Sequence, residues 1–312
     1  MRVNAEKITK DILDELSRKK LLVVTGKGGT GKSALSVALA FYFAKKGKKV
    51  WLVEFGRKHD SNFSRLHELL DSAPLHHKIT KIMEEKNGAL WASRIDPTES
   101  LAEYVGLKIP GGNLASLLLK NRVTASFLEI VPGLLELVCL GKLWFHLTNK
   151  KANPAPDLII LDGPASGHAV TLLHAPSNFS RLTKQGPIYS DAEKMQKFLH
   201  NPENTSILFT SLPEEMSLEE TREHRELLKE FSQPLLFINK NFPRIKNIKI
   251  PANTPEILTD SYHYSQQRAE RENSAIKNFQ KETHNWPIVN IPFFFPDSDK
   301  IPLAKKILES FL

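Results

Sequence analysis

Apolar residues in this chain form short continuous runs that are separated by longer segments with spaced apolar positions. The runs have the length of buried strands and lie at about residues 21–24, 50–55, 90–95, 158–161, 206–211, 234–240 and 286–292. Segments between them show helical spacing, as in residues 5–18, where Ile8, Ile12 and Leu16 share one face. Strands that alternate with helices predict an α/β fold with a mostly parallel sheet flanked by helices.

Further helices are predicted at residues 33–46, 217–231, 262–282 and 303–312. Residues 99 to about 150 and 169–203 read as mainly helical, with an irregular stretch at 177–191, so we expect an inserted helical layer. The apolarity of residues 99–150 favours a core over a partner surface. Residues 241–260 are rich in proline and asparagine and predict a loop. Because the sequence has no repeat and no linker, we expect residues 1–312 to form one domain.

The strongest chemical signal lies where the first strand meets the first long helix. Residues 26–33 match G-x-x-x-x-G-K-[ST], a phosphate-binding loop, with a strand before it and a helix after it. Backbone N–H groups and the helix N-terminus would bind phosphate oxygens. Lys32 would reach the β- and γ-phosphates, and Ser33 would hold Mg²⁺. The residues expected to bind the nucleotide here are Gly26, Lys27, Gly28, Gly29, Thr30, Gly31, Lys32, Ser33 and Ala34.

An aspartate, Asp162, ends the apolar run at residues 158–161. In a protein with a phosphate-binding loop, an aspartate at this point binds Mg²⁺ directly or through water. The small residues at 163–168 would surround the γ-phosphate, and such a loop orders around phosphate and relaxes after hydrolysis. The sequence therefore predicts a Mg-nucleotide site with Ser33 and Asp162 as metal ligands.

Composition is that of a globular chain, with 41% apolar and 25% charged residues. No apolar run approaches the roughly 20 residues that span a bilayer, and residues 1–7 contain no apolar signal core. The single cysteine, Cys139, excludes an internal disulfide and fits a reducing compartment, so we expect a cytoplasmic protein. The net charge of +8 is compatible with nucleic acid or a membrane surface, but the basic residues form short scattered clusters, which argues against nucleic acid.

These motifs together resemble the ArsA-type ATPases, which include the arsenite-pump ATPase and the ATPase that targets tail-anchored proteins. The likeness covers nearly the whole chain. A second lysine, Lys27, near the start of the loop is similar to the deviant phosphate-binding loop of the SIMIBI class, to which the ParA and MinD ATPases also belong. In that class this lysine reaches the phosphates of the other subunit. The resemblance therefore implies a homodimer in which Lys27, Lys32 and Asp162 are catalytic.

Three other stretches carry the resemblance. Residues 162–168, D-G-P-A-S-G-H, are similar to the family's switch II, D-x-A-P-T-G-H, and residues 212–221 resemble a family segment that follows a core strand. Asn239 resembles the strand-end asparagine whose amide pairs with adenine, and Pro292 would lie near the base. The resemblance implies ATP and Mg²⁺ as cofactors.

The chain departs from the family at switch I, usually D-P-A-H-N, where the aspartate orients the attacking water. Gly56 stands at the first position of the corresponding residues 56–60. Either Glu54 or Asp60 serves instead, or hydrolysis is slow. A single cysteine also cannot form the family's arsenite site or its C-x-x-C zinc site, which argues against arsenite as ligand and against a zinc-clamped dimer.

Three functions fit these residues. The first, which we prefer, is a dimeric switch that couples Mg-ATP hydrolysis to the handling of a protein or small-molecule cargo. The second is a regulator that binds ATP and barely hydrolyses it, which Gly56 motivates. The third is a ParA- or MinD-like partitioning ATPase on DNA or membrane, motivated by the positive charge and the amphipathic residues 301–312.

Overall fold

The structure, a computed structural model, describes residues 2–56, 65–108, 133–182, 185, 187–231, 234–243, 248–283, 286–295 and 303–311. Its strands are Leu21–Gly26 (β1), Lys49–Phe55 (β2), Thr80–Glu84 (β3), Ala89–Ile95 (β4), Leu158–Ala165 (β5), Thr205–Ser211 (β6), Leu235–Asn241 (β7) and Ile288–Pro292 (β8). They form one sheet in the order β3-β4-β2-β5-β1-β6-β7-β8. Every neighbouring pair is parallel except β3 with β4, so the predicted fold class is confirmed.

Helices cover both faces of the sheet. In the described ranges they are Arg2–Ser17 (α1), Lys32–Lys45 (α2), Arg65–Leu70 (α3), Pro97–Lys108 (α4), Leu134–Thr148 (α5), Ser166–Leu182 (α6), Pro187–His200 (α7), Glu215–Leu227 (α8), Glu256–Glu282 (α9) and Leu303–Phe311 (α10). One hydrophobic cluster packs α1, α2, α3 and α10 against the sheet. The other packs the six helices from α4 through α9 against it. Among the described residues, no helix combines the length and apolarity needed to cross a membrane.

The predicted helical layer corresponds to α4, α5, α6 and α7, with residues 109–132 outside the described part of the chain. Leu137, Leu140 and Leu143 on α5 are buried in the same cluster as Trp51 and Ile159 of the sheet. The described part of this layer is therefore core. That residues 1–312 form a single domain stays a prediction.

Two stretches predicted to be irregular contain more helix than expected. Residues 177–182 belong to α6, because Pro176 is accommodated inside that helix, and α7 already begins at Pro187. The predicted loop at 241–260 ends early, since α9 begins at Glu256 directly after Pro255. Proline suits the start of a helix, where its missing N–H has no intrahelical partner.

Parallel pairing gathers the carboxyl ends of the central strands at one edge. Glu54 on β2 lies opposite Asp162 on β5 and opposite Arg94 on β4. Strand β1 runs between β5 and β6, so the loop that follows it leaves the sheet between Asp162 and Thr210. Ligands of open α/β sheets bind at such an edge.

Candidate functional site

The loop between β1 and α2 requires glycine at two points. Gly31 has a φ of 96°, and a β-carbon there would lie 2.2 Å from Nδ2 of Asn239. A β-carbon at Gly26 would lie 2.1 Å from the carbonyl oxygen of Thr210. A β-carbon at Gly28 would have no non-neighbouring atom within 4 Å, so this part of the loop is open. The loop is thus packed tightly against Thr210 and Asn239 and is open at Gly28.

The side chain of Lys32 lies inside the curve of the loop. Its Nζ donates hydrogen bonds to the carbonyl oxygens of Gly26, at 3.1 Å, and of Lys27, at 3.0 Å. Burial lowers the pKa of the Lys32 ammonium below its usual range, while the negative charge of Asp162 opposes that shift. The ammonium therefore stands where loop carbonyls, and equally phosphate oxygens, can receive its hydrogen bonds.

The two predicted metal ligands are in contact. Ser33 Oγ donates to Asp162 Oδ2 at 2.7 Å, and Ser36 Oγ donates to Oδ1 at 3.0 Å. Asp162 is buried, and burial, with a smaller contribution from the charge of Glu54, raises its pKa to about 6 against these serine hydrogen bonds. Ala34, beside Ser33 in the first turn of α2, is buried.

This pair fits Mg²⁺. A hydroxyl and a carboxylate are the hard oxygen ligands that this cation prefers, and Mg²⁺ usually takes few protein ligands together with substrate phosphates and water. A divalent cation would also neutralise the Asp162 carboxylate, whose charged form is disfavoured by burial and by Glu54. The described residues contain no cluster of three or more His, Cys, Asp or Glu suited to a metal, so the remaining ligands would come from phosphate and water.

The segment that resembles switch II is anchored to β1 at its start. A β-carbon at Gly163 would lie 2.7 Å from the carbonyl oxygen of Val24, so the two strands approach closely there. Thr25 Oγ1 donates to the carbonyl oxygen of Pro164 at 3.1 Å. Helix α6 begins at Ser166, directly after this anchored stretch.

Lys27 is paired within its own chain. Its Nζ lies 2.9 Å from Oε2 of Glu220 on α8, and its side chain is half exposed. The structure thus separates the two loop lysines, since Lys32 points into the loop and Lys27 leaves it toward α8. A role of Lys27 in a second subunit stays a prediction.

Asn239 contacts the phosphate-binding loop directly. Its Nδ2 donates to the carbonyl oxygen of Thr30 at 2.8 Å, its Oδ1 accepts the N–H of Lys240 at 2.9 Å, and the residue is buried. Pro292 lies at the carboxyl end of the neighbouring strand β8, opposite Asn241. Asn239 therefore braces the loop, and its reading of adenine beside Pro292 stays a prediction.

The position of the family's switch I aspartate is occupied by Gly56, at the end of β2. A β-carbon at Gly56 would lie 2.6 Å from Nε and 3.0 Å from Cγ of Arg94, so the arginine side chain covers this position. Glu54 lies two residues earlier, beside Asp162. Asp60, the other candidate carboxylate, lies outside the described residues.

Three residues of the site escaped the sequence analysis. Ser36 follows Ser33 by three positions on the same helix face, a spacing that could have indicated its contact with Asp162. Thr210 ends the strand beside β1, and its Oγ1 lies 2.7 Å from Oγ1 of Thr30. Glu220 has no local signal, because its contact with Lys27 depends on the packing of α8.

Comparisons with known proteins relate this chain to one family of ATPases. The model of a family described as anion-transporting ATPase, ArsA_ATPase, matches residues 19–186. ATPase BagA of Mycobacterium tuberculosis is 32% identical over 234 residues, which are 73% of this chain and 67% of BagA. The arsenical pump-driving ATPase of Acidiphilium multivorum is 27% identical over 66% of this chain and 36% of that protein. ATPase GET3 of Kluyveromyces lactis is 24% identical over 66% of each chain.

The family match covers more than half of the chain and includes both the phosphate-binding loop and Asp162. It confirms the resemblance drawn from the motifs. The chain therefore belongs to the ArsA family of ATPases.

Proposed function

We propose that this ATPase hydrolyses Mg-ATP as a homodimer and uses the cycle to handle a cargo. The observation that carries the proposal is the contact of Ser33 with Asp162 directly beside Lys32. These three side chains bring a hydroxyl, a carboxylate and an ammonium to one end of the loop, as the binding of a metal-bound nucleoside triphosphate requires.

Each of these residues has a defined part in the reaction. Lys32 exchanges the carbonyl oxygens of Gly26 and Lys27 for phosphate oxygens. Ser33 and Asp162 would hold Mg²⁺, which would neutralise phosphate charge. The N–H groups of the loop fix the phosphates, and Asn239 keeps the loop in shape through the Thr30 carbonyl.

Glu54 orients the attacking water in place of the family's aspartate. The sheet register sets it beside Asp162, and its charge reaches the Asp162 carboxylate. Replacing Glu54 with Gln should lower kcat by at least tenfold and leave the Kd for ATP within about threefold of the wild type. Stopped-flow nucleotide binding and phosphate release separate the two effects. An unchanged kcat would mean that another group, such as Asp60, orients the attacking water.

The dimer is tested through Lys27. We expect specific ATPase activity to rise with protein concentration and Lys27→Ala to lose most of it, because a lysine offered in trans stabilises the transferred charge. Lys45→Ala is the matched control, since Lys45 is an exposed lysine at the far end of α2. Absence of phosphate release, or equal activity of Lys27→Ala and wild type, excludes this function.

A thiol-bound arsenite cargo is not part of the proposal. Cys139 is buried, its Sγ lies 4.0 Å from Oγ of Ser100, and burial raises the pKa of its thiol above the usual range. A reactive thiolate has the opposite environment. The cargo we propose is one that needs no cysteine ligand.

A slowly hydrolysing regulator is the second candidate, and the contact between Gly56 and Arg94 favours it. Without the family's aspartate, the attacking water has one fewer orienting group. This candidate predicts tight ATP binding with turnover of about 10⁻³ per second or less, the order of magnitude of P-loop switches that lack an arginine finger. Brisk steady-state hydrolysis excludes it.

A further inference from the structure

One carboxylate joins Lys27 to the beginning of α6. Oε2 of Glu220 lies 2.9 Å from Nζ of Lys27, and Oε1 accepts a long hydrogen bond of 3.4 Å from Oγ of Ser166. The side chain of Glu220 is 29% exposed and that of Lys27 is 51% exposed. The ion pair therefore has one end in solvent and the other against switch II.

Ser166 marks the point where the metal-binding strand becomes a helix. Strand β5 carries Asp162 and ends at Ala165, so only three residues separate the carboxylate from the serine. Helix α8 lies beside this junction, because a β-carbon at Gly167 would lie 4.0 Å from Nε2 of His224. A rearrangement of the β5–α6 junction would therefore move Ser166, which donates a hydrogen bond to the carboxylate that holds Lys27.

We propose that Glu220 is a positioning residue that keeps Lys27 inside its own protomer until Mg-ATP binding rearranges the β5–α6 junction. The inference rests on the proposed function, since the release of Lys27 matters only where a second copy offers a phosphate to it. Ordering of a switch segment around a γ-phosphate is the movement that would break the contact at Ser166.

We call the ion pair between Glu220 and Lys27 the latch, and its strength suits a contact that forms and breaks reversibly. A partly exposed ion pair shifts an equilibrium by up to about fivefold. A symmetric dimer contains two such pairs, so the combined effect on its dissociation constant reaches about 25-fold. Such a contact holds the lysine in the nucleotide-free protein, yet nucleotide binding can overcome it.

The latch itself is tested by labelling. Glu220→Gln keeps the shape of the side chain and removes its charge, and Glu223→Gln removes the same charge from an exposed position one turn along α8. In nucleotide-free protein, an amine-acetylating reagent read by mass spectrometry should modify Lys27 about two- to fivefold faster in Glu220→Gln than in the wild type. The Glu223→Gln variant should match the wild type. Equal rates in all three proteins overturn the inference.

The consequence for assembly is measured separately by sedimentation with Mg²⁺ and a non-hydrolysable ATP analogue. The dimer dissociation constant should fall by about 4- to 25-fold in Glu220→Gln and stay unchanged in Glu223→Gln. A lower Tm of Glu220→Gln with no change in labelling or dissociation constant means a merely structural contact and overturns the latch. If the wild type stays monomeric with the analogue, the dimeric function itself is overturned. The wild type alone shows this result, so it is distinguishable from failure of the latch.

Discussion

Gly31 and Asn239 constrain each other more closely than any sequence motif shows. The absence of a side chain at Gly31 makes room for the Asn239 amide, which then holds the Thr30 carbonyl. Lys32, Ser33 and Asp162 could be predicted because each follows from a loop pattern or a strand end. The bracing role of Asn239 could not, since the sequence shows a strand-end asparagine but not which way its amide turns.

Replacing Gly31 with Ala should lower the free energy of unfolding of the nucleotide-free protein by about 1–3 kcal/mol. The added β-carbon would meet Asn239 and force a left-handed backbone on alanine. Gly28→Ala is the control, because its β-carbon enters open space. Urea denaturation of both variants measures the difference, and equal stability would contradict the contact.

At the scale of elements, a polar triad of His77, Glu103 and Lys142 ties the segment before β3 to helices α4 and α5. His77 Nδ1 accepts the N–H of Asp96 at 3.1 Å, and its Nε2 lies 3.1 Å from Glu103 Oε1 and 2.6 Å from Nζ of Lys142. Lys142 Nζ lies 2.9 Å from Glu103 Oε2. The side chains of His77 and Lys142 are buried, which makes the carboxylate the solvent side of the triad.

The triad predicts a pH dependence of stability. Partial burial acts to raise the pKa of Glu103, but hydrogen bonds from His77 and Lys142 outweigh it and hold the pKa at about 2, below the ordinary 4.5. The ionised carboxylate therefore stabilises the fold above about pH 4.5, and this contribution is lost as the pH falls toward 2.

Glu103→Gln should thus cost about 1 kcal/mol of unfolding free energy at pH 7, a small value because the Glu103 side chain is half exposed. The difference from the wild type should shrink steadily between pH 4.5 and 3. Urea unfolding at several pH values measures it, with the exposed Glu99→Gln on the same helix as control. A difference that does not change with pH would argue against ionisation as its source.

Elements whose pattern is local were predictable, and those fixed by packing were not. The buried strands β1, β2 and β5 show as continuous apolar runs. Strand β3 has only partly buried or exposed positions at the edge of the sheet, so the alternation that marks a half-buried strand is absent. The first turn of α9 was predicted to be loop, because the prolines and asparagines that precede it are typical of loops.

At the scale of the whole molecule, α10 closes the core layer around α2. Ala304, Ile307 and Leu308 are buried in the cluster that contains Leu35 and Leu39 of α2. The amphipathic face that suggested a membrane-binding segment is therefore occupied by the protein itself. This packing removes one of the two sequence features that motivated a partitioning function, while the net charge of +8 remains.

Ile307→Ala should lower the free energy of unfolding by about 2–4 kcal/mol, since Ile307 is fully buried and its loss leaves a cavity. Lys305→Ala, at an exposed position of the same helix, should stay within about 0.5 kcal/mol of the wild type. Denaturant unfolding measures both. We also expect no salt-sensitive flotation of the wild type with anionic vesicles, and such binding would return a membrane role to α10.

The burial of α2 on all sides has a mechanical consequence. Residues 34–40 are all buried, so the helix that carries the phosphate-binding loop is clamped between the sheet and its neighbours α1, α3 and α10. A clamped helix cannot swing when phosphate is bound or lost, because close-packed interiors resist continuous deformation. Under the proposed function, we therefore expect ATP and ADP to differ in their effect on the opposite face, through β5, α6 and α8. One side of the sheet would then hold the phosphate-binding loop in place, and the other side would respond to the nucleotide.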